Sequence, residues 1–201
     1  MATDNMKRAK FHPLALIAAL LWSACGVSGA AATSVLPLGL DAIVAHAQHI
    51  AHVRCTGNEV EPDATVGLVT VTSFVVLDRV RGAAGATFTV RQAGGERDGL
   101  AIDYRVPKFQ PGDEYVLFMP AASKLGLASP VGLAQGAFSV RSESGGKTVG
   151  NGRDPAEVLA GVDRATVPAS VASRLAPAPE ARRRMDLADF MTLVRARAGS
   201  R

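Results

Sequence analysis

Cysteine, aromatic residues and excess charge are all scarce in this 201-residue chain. Two cysteines cannot provide the disulfide framework that holds many small secreted domains together. Aromatic residues make up 5% of a chain that is 48% hydrophobic, so the core must consist mostly of Val, Leu and Ala side chains. The net charge of +4 is too small to indicate the concentrated basic face of a nucleic-acid-binding protein. We therefore expect no nucleic-acid partner.

The motifs of common hydrolases are absent as well. The sequence contains no Gly-x-Ser-x-Gly elbow and no His-Glu-x-x-His pair, which mark serine hydrolases and zinc proteases. We predict a protein that is not an enzyme, with no catalytic residue, no metal site and no cofactor.

The first 30 residues have the layout of a secretory signal peptide. Their basic residues, Lys7, Arg8 and Lys10 against one aspartate, carry half of the net charge of the chain. The apolar run that follows, residues 14–22, is too short to span a bilayer comfortably. We predict a signal peptide over residues 1–30 with cleavage near Ala30, and a secreted or periplasmic mature protein without a stable membrane span.

Two other fates of this segment compete with cleavage. Ser23 and Ala24 precede Cys25 as small residues precede a lipidated cysteine, but Trp22 stands where such signals have an aliphatic residue. We rank lipidation at Cys25 below cleavage, and retention as an uncleaved anchor is the other alternative. After cleavage only Cys55 remains, which we interpret as a small buried hydrophobic residue rather than a nucleophile.

The stretch 67–95 indicates a β-hairpin around which the fold is organised. Both arms are rich in Val, Thr and Phe, which favour strands, and a glycine-bearing turn at 81–85 joins them. The second arm alternates between polar and apolar residues. The first arm becomes apolar in both phases midway, at Phe74, Val75, Val76 and Leu77. We predict that it is covered on both sides there, as where a long strand bends to form two walls of a small barrel.

Periodicity and turn residues predict the other elements of the barrel domain. A short helix is expected to bury Leu40, Ile43, Val44 and Ala47. Strands are expected at 50–57, 100–106, 115–119 and 131–140. The third of these is continuously apolar, as a strand at the centre of a sheet is. Residues 58–65 are predicted to form a turn and 142–152 a flexible loop, and Gly132 and Gly136 indicate a bulge or bend.

A helical segment is expected after the barrel. Asp154, Pro155 and Glu157 are typical of a helix start, and residues 165–181, with three prolines, predict a linker. A terminal helix capped by Asp186 is expected to present Leu187, Phe190, Met191 and Val194 on one face. We expect that face to pack on the barrel, with a free partner-binding helix as the alternative. The predicted domains are the signal peptide 1–30, an OB-like β-barrel 36–150 and a helical segment 151–201.

The order of these motifs resembles a family of uncharacterised exported bacterial proteins. The similar parts are the helix and strand at 40–57, then SFVVLDRVRG, TFTVRQAGGE, FQPGDEYVLFM and VGLAQGAFSV, and the terminal helix. That family is distantly similar to the netrin-type OB barrel of tissue inhibitors of metalloproteases, and some members accompany secreted matrixin-like proteases. The resemblance implies a possible link to extracellular proteolysis. The inhibitory mechanism does not carry over, because a mature chain that begins near Ala31 lacks the N-terminal cysteine that chelates the protease zinc.

Three histidines and one glycine-rich loop are the other candidates for chemistry. His46, His49 and His52 are spaced by three, and imidazole suits zinc or copper. A predicted break between helix and strand separates them, so we expect them to face solvent. The loop 94–99 lacks the Lys-Ser/Thr ending of a phosphate loop, and we interpret it as a connection between strands.

Charged side chains on the hairpin and in turns have two interpretations each. The carboxylate pairs are Glu96 with Asp98 and Asp113 with Glu114. Because the members of each pair are close neighbours in a turn, we expect them to be solvated rather than catalytic. A basic strip is formed by Arg79, Arg81 and Arg91. It could bind an acidic partner, or it could consist of solvated charges that discourage edge-to-edge aggregation.

We conclude from the sequence that this is a mostly β protein with a small OB-like, netrin-like barrel, and that it is an exported, non-enzymatic binding module. OB-type barrels bind through one curved sheet face and the adjoining loops. By that analogy the candidate binding residues are Thr89, Arg91, Glu96, Arg97 and Tyr104. The alternatives are a regulator or accessory protein of a secreted metalloprotease, and a minor metal-dependent or thiol enzyme that uses His46, His49 and Cys55.

Overall fold

The computed structural model describes residues 36–82, 85–163, 165, 167–172 and 184–199. The predicted signal peptide with Cys25, and most of the predicted linker, lie outside these residues. The chain divides after Val35, and the part from Leu36 onward is one compact unit.

The mostly β fold predicted from the sequence is confirmed. The elements in chain order are α1 (Leu40–His46), β1 (His49–Asp63), β2 (Gly67–Arg81), β3 (Thr87–Ala93), β4 (Gly95–Arg97), β5 (Leu100–Ile102), β6 (Glu114–Met119), a 3-10 turn (Leu133–Gly136), β7 (Ala137–Glu143), β8 (Gly146–Gly150), α2 (Pro155–Val158), α3 (Ala169–Ala172), β9 (Met185–Asp186) and α4 (Leu187–Gly199). Seven strands form one antiparallel sheet in the order β3-β2-β1-β6-β7-β8-β9, and β4 pairs with β5 alone. Within the described residues β3 and β9 are the two edges, so this sheet is open and does not close into the predicted barrel.

Strand β6 lies at the centre of the sheet, as its apolar sequence predicts, and contributes to two cores. Val116 and Phe118 point into one hydrophobic cluster, and Tyr115, Leu117 and Met119 point into another. We call the side of the first cluster the helix face, because α1, α2, α3 and α4 contribute to it. We call the other side the loop face, because the residues that cover it, Phe109 and Ala128, belong to connections between strands.

Two of the helices that the sequence predicts, α1 and α4, pack on the helix face of the sheet. Every apolar residue expected to face inward is buried, namely Leu40, Ile43, Val44, Ala47, Leu187, Phe190, Met191 and Val194. Asp186 caps α4, since its Oδ1 accepts a hydrogen bond from the backbone N–H of Asp189 at 3.0 Å. The terminal helix therefore packs on the sheet rather than standing free.

Arg81 ties both helices to the sheet. Its guanidinium donates to the carbonyl oxygens of Val44 (2.8 Å) and Ala47 (3.0 Å) at the end of α1, and to that of Ala198 (2.9 Å) at the end of α4. The last carbonyl groups of a helix lack intrahelical partners, and a cation there also interacts favourably with the helix dipole. One side chain thus satisfies two helix ends.

The prediction that β2 is covered on both sides at its middle is not confirmed. Phe74 is fully buried, but Val75 is half-buried and Leu77 is 40% exposed. The register with β1 explains the pattern. His52 pairs with Asp78 and the next residue, Val53, pairs with Val76, so Leu77 has no partner on β1 and forms a bulge. Val80 is an extra residue in the same way. Each bulge reverses the face that later side chains occupy.

Several predicted boundaries also differ. Strand β1 continues through the predicted turn at 58–65 as far as Asp63, and the predicted flexible loop at 142–152 is a hairpin of β7 and β8. The strand expected at 100–106 ends at Ile102, where it pairs with part of the predicted loop 94–99. The strand expected at 131–140 begins only at Ala137, after a 3-10 turn that ends at Gly136, where a Cβ would lie 2.6 Å from the carbonyl oxygen of Val131.

Candidate functional site

A pocket of about 360 Å³ opens on the loop face of the sheet. Its apolar floor comes from four strands, through Ala51, Val76, Phe88, Val90, Leu117 and Met119. One wall is the connection after β6, through Pro120, Ala122, Gly126 and Ala128. We call this cavity the loop-face pocket. Its volume lies at the lower end of the range for pockets that bind small molecules.

The wall of the pocket has a defined conformation. The backbone N–H of Ser123 donates to the carbonyl oxygen of Leu127, and that of Gly126 donates to the carbonyl oxygen of Ser123, both at 2.8 Å. Gly126 has φ +73°, which favours glycine. The backbone N–H of Ala128 donates at 2.9 Å to the carbonyl oxygen of Arg91 on β3. The wall is therefore attached to the edge of the sheet.

The ionisable side chains that line the pocket are all basic. Four of its residues can carry positive charge, His49, Arg79, Arg81 and Arg91, and none of the residues lining it is Asp or Glu. The guanidinium of Arg81 is engaged by the helix ends, and that of Arg91 pairs with Glu61 at 2.9 Å. Arg79 donates a hydrogen bond to the carbonyl oxygen of Gly85, a neutral partner. Arg79 thus gives the pocket rim its positive character, and the exposed His49 also lines the pocket.

A bulge places Arg79 at this pocket. Because Leu77 is an extra residue in β2, Arg79 lies opposite Ala51, whose side chain belongs to the loop-face cluster. The second bulge, at Val80, then returns Arg81 to the helix face opposite Ile50. Two arginines that are two residues apart therefore lie on opposite faces of the sheet. The three arginines of the predicted basic strip all line the pocket, but their guanidinium groups have different partners: the carbonyl oxygen of Gly85 for Arg79, the helix ends for Arg81 and Glu61 for Arg91.

The structure brings together two of the five candidate binding residues. Thr89 and Arg91 line the loop-face pocket. The other three lie at the far end of β1 and β2, beside β4 and β5. There Arg97 donates to the carbonyl oxygen of Val60 at 3.0 Å, and the Tyr104 hydroxyl lies 3.5 Å from the carbonyl oxygen of Val66. Glu96 is exposed.

The three histidines do not converge. His46 and His49 are exposed, and His52 is 7% exposed with its Nε2 2.8 Å from Oε2 of Glu114. Within the described part of the chain, no group of three or more His, Cys, Asp or Glu side chains is arranged to hold a metal ion. The expectation that all three histidines face solvent is wrong for His52, because β1 turns its side chain towards Glu114.

Glu114 differs from the solvated carboxylate that its turn-like position predicts. Its side chain is only 13% exposed and accepts hydrogen bonds from Arg54 at 2.8 Å and from Lys147 at 2.7 Å, in addition to its contact with His52. Burial by itself would raise the pKa of Glu114, but the hydrogen bonds from Lys147, Arg54 and His52 outweigh burial and lower it to about 2. Glu114 therefore stays ionised near neutral pH and serves as an anchor between strands.

Cys55 is buried, as predicted, and its surroundings are those of a structural residue. Burial raises the pKa of the thiol, outweighing the opposite effect of a backbone hydrogen bond with Gly57, and the charge of Asp113 adds to the increase. A thiol with a raised pKa carries little of the nucleophilic thiolate near neutral pH. The arrangement gives no support to a thiol enzyme.

A second cavity lies across β6 and β7 and is lined by basic residues that include Lys108, Arg141 and Arg184. The guanidinium of Arg184 is already used there. It donates to the carbonyl oxygens of Ser139 (2.7 Å) and Thr148 (3.0 Å) and to both of their hydroxyl groups, which joins β7 to β8. This cavity is therefore a weaker candidate than the loop-face pocket.

The residues that form the pocket floor and wall are not among the candidates predicted from the sequence. Val76, Leu117 and Met119 were assigned to a core, and nothing in their pattern distinguishes a core that is only partly covered. The available signal is the connection 120–130, whose Pro, Ala, Ser and Gly residues cannot cover a sheet as fully as an amphipathic helix does.

Comparisons with family models, curated proteins and solved structures find no match to this chain. No helix among the described residues is both long and apolar enough to cross a membrane. The resemblance to exported bacterial proteins therefore stays a prediction.

Proposed function

We propose that this protein is an exported, non-enzymatic binding module, and that the loop-face pocket is where it holds its ligand. The observation that carries the proposal is the combination of an apolar floor, on Val76, Leu117 and Met119, with a rim that carries positive charge and no carboxylate. An apolar cavity with few polar groups is the usual form of a binding site. The ligand that fits has an apolar part for the floor and an acidic group for the rim.

The chemistry of the lining residues supports binding rather than catalysis. Arg79 can orient a ligand by charge, and His49 is the only histidine among the lining residues. General acid–base catalysis needs a positioned partner for such a group. Neither a carboxylate nor a thiol lines the pocket to fill that role.

The test is a fluorescence titration with 8-anilinonaphthalene-1-sulfonate, an apolar probe with one negative charge. We expect saturable binding of one probe per mature chain. Ala128→Phe should weaken binding at least about tenfold by filling the pocket, and Arg79→Gln should weaken it by about three- to tenfold and reduce its salt dependence.

Matched controls lie on the same connection. Ala121 and Lys124 are exposed and do not line the pocket, so Ala121→Phe and Lys124→Gln should bind the probe as the unmodified chain does. Probe binding that is absent, or that Ala128→Phe and Ala121→Phe change equally, would contradict the proposal.

Export is the other part of the proposal, and the features that support it are the basic start and apolar run of the first 30 residues. Mass spectrometry of the protein expressed with its full N-terminal segment tests it, with a mature chain that begins at Ala31 as the expected result. The alternative of a protease regulator stays a prediction from the resemblance. A pull-down from the secreted proteins of the source organism that recovers no protease would count against it.

A further inference from the structure

The edge of the sheet beside the loop-face pocket has backbone groups that no hydrogen bond reaches from the described part of the chain. The backbone N–H of Gly94 donates to the carbonyl oxygen of Leu68, and that of Val76 donates to the carbonyl oxygen of Ala86. With the register Val69↔Ala93, these bonds direct the even-numbered residues of β3 towards β2. The N–H and C=O groups of Thr87, Thr89 and Arg91 therefore point away from the sheet.

One of these outward groups already accepts a backbone hydrogen bond from another segment of the chain. The carbonyl oxygen of Arg91 accepts a hydrogen bond from the backbone N–H of Ala128, at the end of the pocket wall. Among the described residues, no backbone hydrogen bond reaches the outward groups of Thr87 or Thr89. The described residues thus pair with the end of this edge and leave the next two outward positions, Thr87 and Thr89, unpaired.

The first part of this edge, before Arg91, lacks the devices that usually protect a sheet from unwanted pairing. The residues Thr87–Val90 include no proline and no charge, and β3 is seven residues long. The opposite edge, β9, is protected by its length of only two residues. The unprotected edge is also the edge that borders the pocket, which Gly85, Thr87, Phe88, Thr89, Val90 and Arg91 all line.

We propose that an extended peptide segment of a partner protein adds to β3 as a further strand, with its backbone bonded to Thr87 and Thr89. One of its apolar side chains enters the loop-face pocket, and an acidic side chain lies near Arg79. The inference rests on the proposed function, since it names the class of ligand for the same pocket. Addition of a strand to a sheet edge gives affinity through the main chain and specificity through pockets for alternate side chains.

Charge selects this occupant over a second copy of the chain. Two copies that paired through β3 would present to each other a strand that holds Arg91 and no Asp or Glu, so neither copy supplies an acidic partner for Arg79. An acidic peptide meets a pocket that no Asp or Glu lines. The four outward backbone groups of Thr87 and Thr89 repeat at the two-residue spacing of an extended chain.

The experiment is selection of a displayed library of random nine-residue peptides on mature chain 31–201. We expect enriched peptides in which apolar residues alternate with Asp or Glu. In a synthetic copy of an enriched peptide, N-methylation of one backbone amide at a time should weaken binding about tenfold at alternate positions and little at the positions between them.

Two substitutions at one position test the backbone contact from the side of the protein. Thr89→Pro removes an outward N–H and no hydrogen bond to β2, because proline is tolerated on the free side of an edge strand. It should weaken peptide binding about tenfold. The matched control Thr89→Val keeps the N–H and should change binding less than twofold.

Three outcomes overturn the inference. Enriched peptides that tolerate N-methylation at every position, or a mature chain that enriches none, exclude strand addition. If no peptide is enriched but the anilinonaphthalene probe still binds, the proposed function stands and only the peptide as the class of ligand is excluded. A dimer in sedimentation that Thr89→Pro dissociates would assign the edge to a second copy. If circular dichroism shows that Thr89→Pro does not fold, the N-methylation series on the unmodified chain decides.

Discussion

The two faces of the sheet are covered in different ways, and the difference locates the candidate site. On the helix face, long apolar side chains from α1 and α4 reach the sheet, and Phe190 packs on Phe138 with ring centres 4.9 Å apart. On the loop face, the cover consists of the connection that holds Phe109 and the connection 120–130. Helices bury a broad apolar stripe, whereas the connection rich in small residues leaves a cavity. A sheet that is apolar on both sides therefore becomes a closed core on one side and a pocket on the other.

The largest expected effect compares one phenylalanine from each face. Phe190 is fully buried between Phe118 and Phe138, so Phe190→Ala should lower the free energy of unfolding by about 3–5 kcal/mol. Phe88 is half-buried where the pocket opens, and Phe88→Ala should cost only about 1–2 kcal/mol. Urea unfolding of both variants measures the difference. Equal losses would show that the loop face is packed as tightly as the helix face.

A second prediction concerns pH. The pKa of Glu114 is lowered from an ordinary value of 4.5 to about 2 in the folded protein. A lowered pKa stabilises the folded state fully above pH 4.5, and this stability is lost as the pH falls from about 5 to 2, because the unfolded chain takes up the proton first. The expected loss from this group is about 2–3 kcal/mol.

Unfolding in urea at pH values from 7 to 2.5 measures that loss. Glu114→Gln should remove most of the dependence on pH that this group contributes and should lower stability at pH 7 by a similar amount, since it leaves Arg54 and Lys147 without their shared partner. Glu59→Gln, an exposed position on the same strand as His52 and Arg54, is the control. A pH profile of Glu114→Gln that follows the unmodified chain would show that the cluster contributes nothing.

A third, smaller effect separates the two arginines that flank Val80. Arg81→Lys removes the fork that reaches the carbonyl oxygens of α1 and α4, and should cost about 1–2 kcal/mol. Hydrogen exchange should become faster in the last turns of both helices. Arg79→Lys on the loop face should leave helix exchange unchanged. Faster helix exchange in both variants would mean that the bulge at Val80 does not separate their roles.

The sequence predicted those parts of the molecule in which local pattern and tertiary packing agree. The buried residues of α1 and α4 follow from helical spacing, the central place of β6 follows from its continuous apolar run, and Asp154 and Asp186 act as the caps that their positions indicate. The open sheet did not follow, because a strand that changes phase predicts a bend between barrel walls as well as it predicts a bulge. The register of β1 with β2, which the sequence does not reveal, decides between the two.

The candidate site was less predictable than the fold for a related reason. Arg79 and Arg81 share one phase of a regular strand, so the sequence assigns them to one basic strip, and only the extra residue Val80 separates them. Thr89 and Arg91 were named by analogy with OB barrels, and they reach the pocket because β3 is an edge strand. A pattern of side chains shows which residues are apolar, but it does not show which apolar surface remains uncovered.

The smallest expected effect tests the bulge itself. If the two-sided cover predicted from the sequence existed, Leu77→Thr would remove a buried apolar side chain and cost more than about 2 kcal/mol. Because Leu77 is the extra residue of the bulge and 40% exposed, we expect a change within about 0.5 kcal/mol. Phe74→Leu, three residues earlier at a fully buried position, should cost about 1 kcal/mol or more. Urea unfolding of the two variants side by side distinguishes a strand that serves two barrel walls from a bulged strand, with one side buried, in an open sheet.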